Sequence, residues 1–320
     1  MRISKNATFL VTGGAGFIGS HIVDRLVQSG FQVRVIDNLS NGRLENVKVH
    51  QGKDNFFFIK GDIREMQFVK NAVKDVDVVF HEAALVGGPQ SIEDPVLTND
   101  INVNGTLNLL EASAKSDVRR FVLASSAAVY GPQEVIPIKE DSIPHPSSPY
   151  AVSKLTAELY AEAYHKNYGL ETVCLRYFNV YGPRQMYGPY AAVITAFLTE
   201  LIKGRAPTIY GDGIQTRDFV NVKDVVDANM LATEKNCAGE IINVAAGSAV
   251  NINSLFKILR TITGKSHVEP IYNKQRPFDV RQSCGDITRA YEILGFRSKV
   301  SLKEGLQELF EYYMKTVSAS

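Results

Sequence analysis

Short apolar runs alternate along this chain with longer stretches in which apolar positions recur every three or four residues. Short apolar runs bounded by turn residues suit strands buried on both faces. The longer period suits helices lying over them. The pattern predicts strands over 8–12, 32–37, 56–60, 76–81, 121–124 and 172–176, and helices over 17–29, 65–74, 95–114 and 149–168. Gly30 and Gly169 stop the first and last of these helices. Strand and helix in alternation is the order of an α/β protein with a doubly wound parallel sheet, the Rossmann arrangement, in which ligands bind beyond the carboxyl ends of the strands.

After Asn179 the elements shorten and are punctuated by Gly and Pro. The expected organisation is a main unit of 1–179 and 223–250, with a helix over 223–235 and a strand over 241–245 returning to the sheet. A smaller α/β substrate-binding lobe takes 180–222 and 251–320. Five prolines, Pro132, Pro137, Pro144, Pro146 and Pro149, mark a loop before Tyr150 that is too long for a simple connector, so a lid or substrate wall is expected there.

Composition narrows the partners. Of 320 residues 45% are hydrophobic, and 35 basic against 34 acidic residues leave a net charge of +1. That balance supplies no field to attract nucleic acid or an anionic membrane, and neither is expected as a partner. Cys174, Cys237 and Cys284 lie far apart, and the six histidines form no spaced set with carboxylates. No metal and no disulfide framework is expected. No apolar run reaches the length of a membrane span, and the first residues lead straight into a strand, so a cytoplasmic setting is expected.

The stretch VTGGAGFIGS sets Gly13, Gly16 and Gly19 between the first strand and the first helix. Backbone without side chains can approach a pyrophosphate there, and the helix start offers free amides and a positive dipole end. Asp37 closes the second strand 18 residues beyond Gly19. A carboxylate in that place accepts from ribose hydroxyls and repels a 2′-phosphate, which favours NAD over NADP. Asp62 and Ile63, after the third strand, would suit an adenine ring or an ordinary turn. Further on, SPYAVSK places Tyr150 and Lys154 one helical turn apart on one face. A nearby ammonium, joined by a positively charged nicotinamide, would draw the phenol toward service as a base at neutral pH. Ser125 and Ser126, in SSAAVYG, either cap a turn or hold a substrate.

Through TGGAGFIGS, HEAA, NVNGT, SSAAVYG, SPYAVSK, LRYFNVYGPRQ, IYGDG, TRDFVNVKD and RPFDV the chain resembles the extended short-chain dehydrogenases, specifically the NAD-dependent nucleotide-sugar epimerases and dehydratases. The resemblance implies that Ser126 bonds the sugar at carbon 4, Tyr150 is the base, and Lys154 holds the nicotinamide ribose and tunes Tyr150, with Ser125 structural. It implies NAD contacts from Gly13, Gly16, Phe17, Ile18, Gly19, Asp37, Asn38, Asp62, Ile63, Ala83, Ala84, Asn102, Lys154 and Tyr177. Asn179, Arg217, Arg276 and Asp279 would hold the diphosphate and ribose, and Tyr210 would lie on the base. Dehydratases of the family carry an Asp and a Glu after the catalytic hydroxyl. Ala127 and Ala128 stand there instead and cannot transfer protons, so 4-epimerisation through a keto sugar is expected. Ser283 stands where relatives restricted to plain hexoses carry a bulky Tyr. It would leave room for an N-acetyl group, which points to UDP-N-acetylglucosamine and UDP-N-acetylgalactosamine, with UDP-glucose, UDP-galactose and UDP-glucuronate as alternatives. The helices over 95–114 and 149–168 resemble the family's homodimer interface.

Overall fold

The computed structural model describes Ser4 and residues 6–185, 192–275 and 280–318. The first half runs β1 (Thr8–Thr12), α1 (Phe17–Gln28), β2 (Gln32–Asp37), β3 (Phe56–Lys60), α2 (Met66–Val73), β4 (Val78–His81), α3 (Gly88–Glu93), α4 (Pro95–Asn99), α5 (Gly105–Lys115), β5 (Arg120–Ser126), α6 (Pro149–Tyr168) and β6 (Thr172–Tyr177). Beyond it come β7 (Asn179–Tyr181), α7 (Val193–Ile202), β8 (Thr208–Tyr210), β9 (Thr216–Asn221), α8 (Val222–Glu234), β10 (Ile241–Val244), β11 (Ala249–Asn251), α9 (Ile252–Ile262), β12 (Ile271–Asn273) and α10 (Leu302–Ser318).

Seven strands form one sheet in the order β10-β6-β5-β4-β1-β2-β3, each parallel to its neighbours. The chain winds outward from β1 to β3 and then back across from β4 to β10. The switch point, where ligands of such sheets bind, therefore lies between β1 and β4. Alternation along β1 divides the two cores: Phe9 and Val11 pack with Ile22, Leu26 and Val225, while Leu10 packs with Val79, Leu109 and Ala157. A third core joins Tyr181, Phe197, Leu198, Phe219, Leu255 and Leu306 from the later elements. Smaller sheets of β11-β9-β7 and β12-β8 belong to this part of the chain.

The expected strands and helices form, with three informative differences. β5 extends through Ser126, which pairs with Tyr177 of β6, so both serines are strand residues. The single helix expected over 95–114 is interrupted by a π-type turn over 100–104 that contains the buried Asn102. Such turns insert one extra residue into the helical path. The proline-rich loop, finally, is a fixed wall. Ile138 N–H donates to the Cys284 carbonyl at 2.8 Å and its own carbonyl accepts from Asp286 N–H at 2.8 Å. Asn243 of β10 adds a bond from its side chain to the Ile138 carbonyl at 2.9 Å and one from its backbone N–H to Glu140 at 2.9 Å.

α6 begins at Ser148, whose hydroxyl accepts from Ala151 N–H, continues with Pro149 in the first turn, and ends at Gly169 with φ 72°. Ala157 and Ala161 let it lie close on the sheet. Glu158 then ties it down: Arg176 of β6 donates to this carboxylate at 2.7 and 2.9 Å, and Ser125 of β5 donates to it as well. Both members of the pair are at most 3% exposed. The guanidinium also lies 4.6 Å from the Tyr130 ring centre and donates to the Glu140 carbonyl. Removing one partner of such a pair leaves a buried charge uncompensated. Arg176→Ala should cost about 3–5 kcal/mol of stability in urea unfolding, and the double change Arg176→Ala with Glu158→Leu should cost less than the single one.

Candidate active site

The glycine loop leaves β1 at Gly13, whose φ of 65° suits a residue without a side chain. A β-carbon at Gly19 would lie 2.3 Å from the Gly13 carbonyl oxygen, so the first turn of α1 can lie on the loop only through glycine. Gly16 caps α1 without a side-chain acceptor, which leaves the first amides of the helix free for an anion. Asp37 holds the loop from β2. Its carboxylate accepts from Ala15 N–H at 3.0 Å and Leu39 N–H at 2.8 Å, and burial raises its pKa against the pull of those two amides. Each oxygen keeps a further lone pair for a ligand.

A cavity of about 360 Å³ opens on this loop at the switch point. Every residue assigned to the cofactor from the sequence lines it, except Asn102, Lys154 and Tyr177. Asp62, on its rim, is bonded by Arg64 and Asn38, and Arg64 holds its carboxyl well below the usual carboxylate range. The sequence reading missed Ser40, Asn41, Arg43 and Asn46, Glu82, Arg184 and Gln185 on the same lining. The polar run directly after Asp37 and the lone charge inside HEAA were the available signals.

β5 and β6 pack against α6, and the site residues there, Ser126, Tyr150 and Lys154, lie off the cavity lining but are linked to it through Glu82, which acts on Tyr150 and Lys154. Ser126 accepts from Ala128 N–H at 3.1 Å and stands near enough to the Tyr150 phenol to favour its ionised form. The structure thus gives the Ser126 hydroxyl a turn-capping bond and places it near Tyr150. Ser125 faces the Glu158 pair instead. Tyr150 has its pKa raised, first by burial and also by the Glu82 carboxylate, while Ser126 works the other way. Lys154 donates to the Ala124 carbonyl at 2.8 Å, and burial lowers its pKa to about 8 against the opposing pull of Glu82 and Glu158. The groups acting on the phenol in the protein alone are thus burial, Glu82 and Ser126, and the Lys154 ammonium is bonded to the β5 backbone.

Asn102 lies outside the cavity. Its amide donates to the Leu85 carbonyl and the Ser153 hydroxyl and its oxygen accepts from Leu85 N–H, while Ser153 donates to the Tyr150 carbonyl. It pins the loop after β4 to the start of α6. His81 continues this scaffold. Thr106 gives its only proton to the Asn102 carbonyl, so His81 Nε2–H must donate to Thr106 and Nδ1 must accept from Thr12. Tyr177 gives its proton to Glu82 at 2.8 Å and accepts from Asn229 at 2.7 Å.

The sequence-assigned substrate residues lie on the later elements. Asn179 donates to the Asp218 carbonyl, Arg217 donates to the Val280 and Thr216 carbonyls at 2.7 Å, and the Tyr210 carbonyl accepts from Gln215. Ser283 is buried, between the Arg281 carbonyl that accepts from β9 and the Cys284 carbonyl that accepts from the proline-rich wall. Arg276 and Asp279 lie outside the described residues.

A phenol and an ammonium beside a dinucleotide cleft, on a sheet of this winding, place the protein among the extended short-chain dehydrogenases, a class of enzymes. The chain belongs to the family described as GDP-mannose 4,6 dehydratase, which matches residues 10–309. It is 42% identical to a UDP-glucose 4-epimerase from Thermotoga maritima solved with UDP-glucose, with a TM-score of 0.92 over 97% of this chain and 99% of that one. A UDP-N-acetylglucosamine 4-epimerase from Methanobrevibacter ruminantium, solved with UDP-N-acetylmuramic acid, is 39% identical, with a TM-score of 0.93 over 98% of this chain and 100% of that one. A UDP-glucuronic acid 4-epimerase from Bacillus cereus, solved with UDP-glucuronic acid and NAD, is 34% identical, with a TM-score of 0.91 over 97% and 99%.

Burial lowers the pKa of His81 from 6.5 to about 3, so the native protein keeps it neutral where the unfolded chain takes up a proton. Stability from this group is whole above pH 6.5 and is lost as pH falls toward 3. His81→Gln, less stable than the parent at neutral pH, should show a shallower decline between about pH 6.5 and 4, the two slopes differing by on the order of 2 kcal/mol across that range in denaturant titrations.

Proposed function

We propose that this enzyme is an NAD-dependent 4-epimerase of UDP-sugars that interconverts UDP-N-acetylglucosamine and UDP-N-acetylgalactosamine. The observation that carries the reaction class is the pair Ala127 and Ala128 beside Ser126: elimination of water needs an acid and a base there, and methyl groups supply neither. The keto intermediate then has one exit, reduction back to an alcohol.

The cleft fits NAD on its own geometry: glycines at contacts too close for a β-carbon, free amides at the start of α1, and an acid at the end of β2. When bound, NAD supplies the acceptor and donor of a hydride. The chain's own groups do the rest. Ser126 holds the 4-hydroxyl in line with Tyr150, Tyr150 takes its proton as the hydride leaves carbon 4 and returns it when hydride comes back to the other face, and Lys154 steadies the nicotinamide ribose. A ligand bringing positive charge to this end would lower the phenol's pKa, which burial and Glu82 hold up in the protein alone. Arg217, Tyr210 and Asn179, with Arg276 and Asp279, hold the nucleotide while the sugar turns. A homodimer through α6 and the helices before it is supported by Val152, Leu159 and Tyr160, large apolar side chains exposed on α6. Among the described residues no helix is long and apolar enough to cross a membrane.

The substrate choice rests on Ser283, small and buried between two hydrogen-bonded backbone anchors. Purified protein, given no added NAD, should invert carbon 4 of UDP-N-acetylglucosamine as read by proton NMR. No conversion of this sugar or of UDP-glucose, even with NAD supplied, would overturn the reading. Ser283→Tyr should lower kcat/KM for the acetylated sugar by about tenfold to a hundredfold, a steric loss of roughly 1.4–2.8 kcal/mol, and leave any turnover of UDP-glucose within about threefold.

A further inference from the structure

Glu82 follows β4 directly, and the chemistry proposed above makes no use of it. It lines the dinucleotide cavity beside Ala83, Ala84 and Leu85. Oε1 accepts from the Tyr177 hydroxyl at 2.8 Å, and that hydroxyl accepts from Asn229 of α8 at 2.7 Å. The phenol has a single proton and spends it on Glu82, so Oε1 is held as an acceptor. Among the described residues Oε2 has no protein partner.

The groups facing this carboxyl are Lys154 and Tyr150 from α6 and Tyr177 from β6, each electrostatically linked to it. Its neighbour His81 is buried and neutral, with both ring nitrogens taken by Thr12 and Thr106. Lys154 makes no ion pair among the described residues, and Glu158, the other acid acting on it, is already paired with Arg176. Glu82 is thus a carboxylate fixed by a phenol on the wall of the cleft, near an ammonium it does not touch.

On the reading that this is an NAD-dependent epimerase, that wall is where a nicotinamide ring must meet Tyr150. We propose that Glu82 is the counter-charge to the oxidised ring: a positioning residue that keeps bound NAD oxidised between turnovers and drives hydride back to the keto sugar. Transfer of hydride from carbon 4 removes the positive charge of the ring, and the hydroxyl proton goes to Tyr150. The return step reverses both, so no outside oxidant or reductant enters. An anion beside the ring favours its charged form and so shortens the life of the keto sugar, which an epimerase must not lose. Burial raises the pKa of Glu82 to about 7, the Tyr177 bond opposing, and an oxidised ring beside it would pull it down again, so in the holoprotein the effect should fade as pH falls below neutrality.

Glu82→Gln keeps the acceptor for Tyr177 and removes only the charge. Holoprotein equilibrated with UDP-N-acetylglucosamine, or with UDP-glucose if only that sugar turns over, should show by dihydronicotinamide absorbance a ratio of reduced to oxidised cofactor about tenfold higher in this variant than in the parent above neutral pH. The gap between the parent and the variant should close as pH falls and the carboxyl protonates, the pH dependence that Tyr150 gives both proteins cancelling in the comparison. Glu82→Asp should restore the parent ratio. Tyr177→Phe, which removes the bond that keeps the carboxyl acidic, should move this closing to higher pH. A parent that carries NAD and epimerises, with Glu82→Gln showing the same ratio throughout, overturns the role of Glu82 alone. A parent that binds no dinucleotide overturns the epimerase reading and this inference with it.

Discussion

The arrangement of the catalytic end depends on one buried ion pair, Glu158 with Arg176. Tyr150, Lys154 and Glu158 follow one another at four-residue intervals along α6, so they share one stripe of the helix. Fixing the last of them to β6, with Ser125 of β5 donating to the same carboxylate, sets the rotation of the helix about its axis and hence where the other two point. A buried charge pair is a poor source of net stability, since desolvation offsets most of the attraction. Its value here is directional: a hydrophobic contact would tolerate a slide or roll of α6, whereas a two-pronged guanidinium and carboxylate contact does not.

A second scaffold of uncharged hydrogen bonds works from the opposite side. Thr12, His81, Thr106 and Asn102 run from the end of β1 across β4 to the π-type turn, and Asn102 and Ser153 carry the connection to the Tyr150 carbonyl. The glycine loop and the catalytic helix are therefore linked through β4. The two scaffolds meet at the ends of β5 and α6, where Lys154 reaches the Ala124 carbonyl and Ser126 lies near Tyr150. Distances between a dinucleotide seat and a proton-transfer group must hold to a fraction of an ångström, and rigid elements joined at both ends provide this better than loops.

What the sequence revealed followed the range of the interactions involved. β1 begins and ends where its apolar run does, because a central parallel strand is buried on both faces and its limits are set locally. The glycine loop and the Tyr150 and Lys154 pair were legible for the same reason, being spacings within one turn or one helix. Partners distant in sequence were not legible. Nothing in SSAAVYG shows that Ser125 answers to Glu158, 33 residues on, and nothing in NVNGT shows that Asn102 closes on Leu85 and Ser153. The π-type turn was hidden because its residues keep an ordinary helical pattern. Glu82 was overlooked although it was in view, because a single acid after a strand has no periodicity to mark it.

The division of the chain suits a reaction with no net change in oxidation state. The groups proposed to act on carbon 4 sit on the rigid sheet ends and α6. The residues assigned to the nucleotide are carried by β7, β8 and β9 and by the segment after β12, which is bonded to β9 on one side and to the proline-rich wall on the other. An epimerase must hold the nucleotide equally well before and after the sugar turns, so binding there is uniform and contributes nothing to the barrier between the two faces. Selectivity for the sugar must then come from space rather than from contacts made in only one orientation. On the proposed reading, a small side chain at Ser283 admits both orientations of a bulky substituent by leaving space for it. The same requirement explains why proton-transfer groups beyond Tyr150 would be harmful here: an acid at Ala127 or Ala128 would give the keto sugar a second exit while it turns.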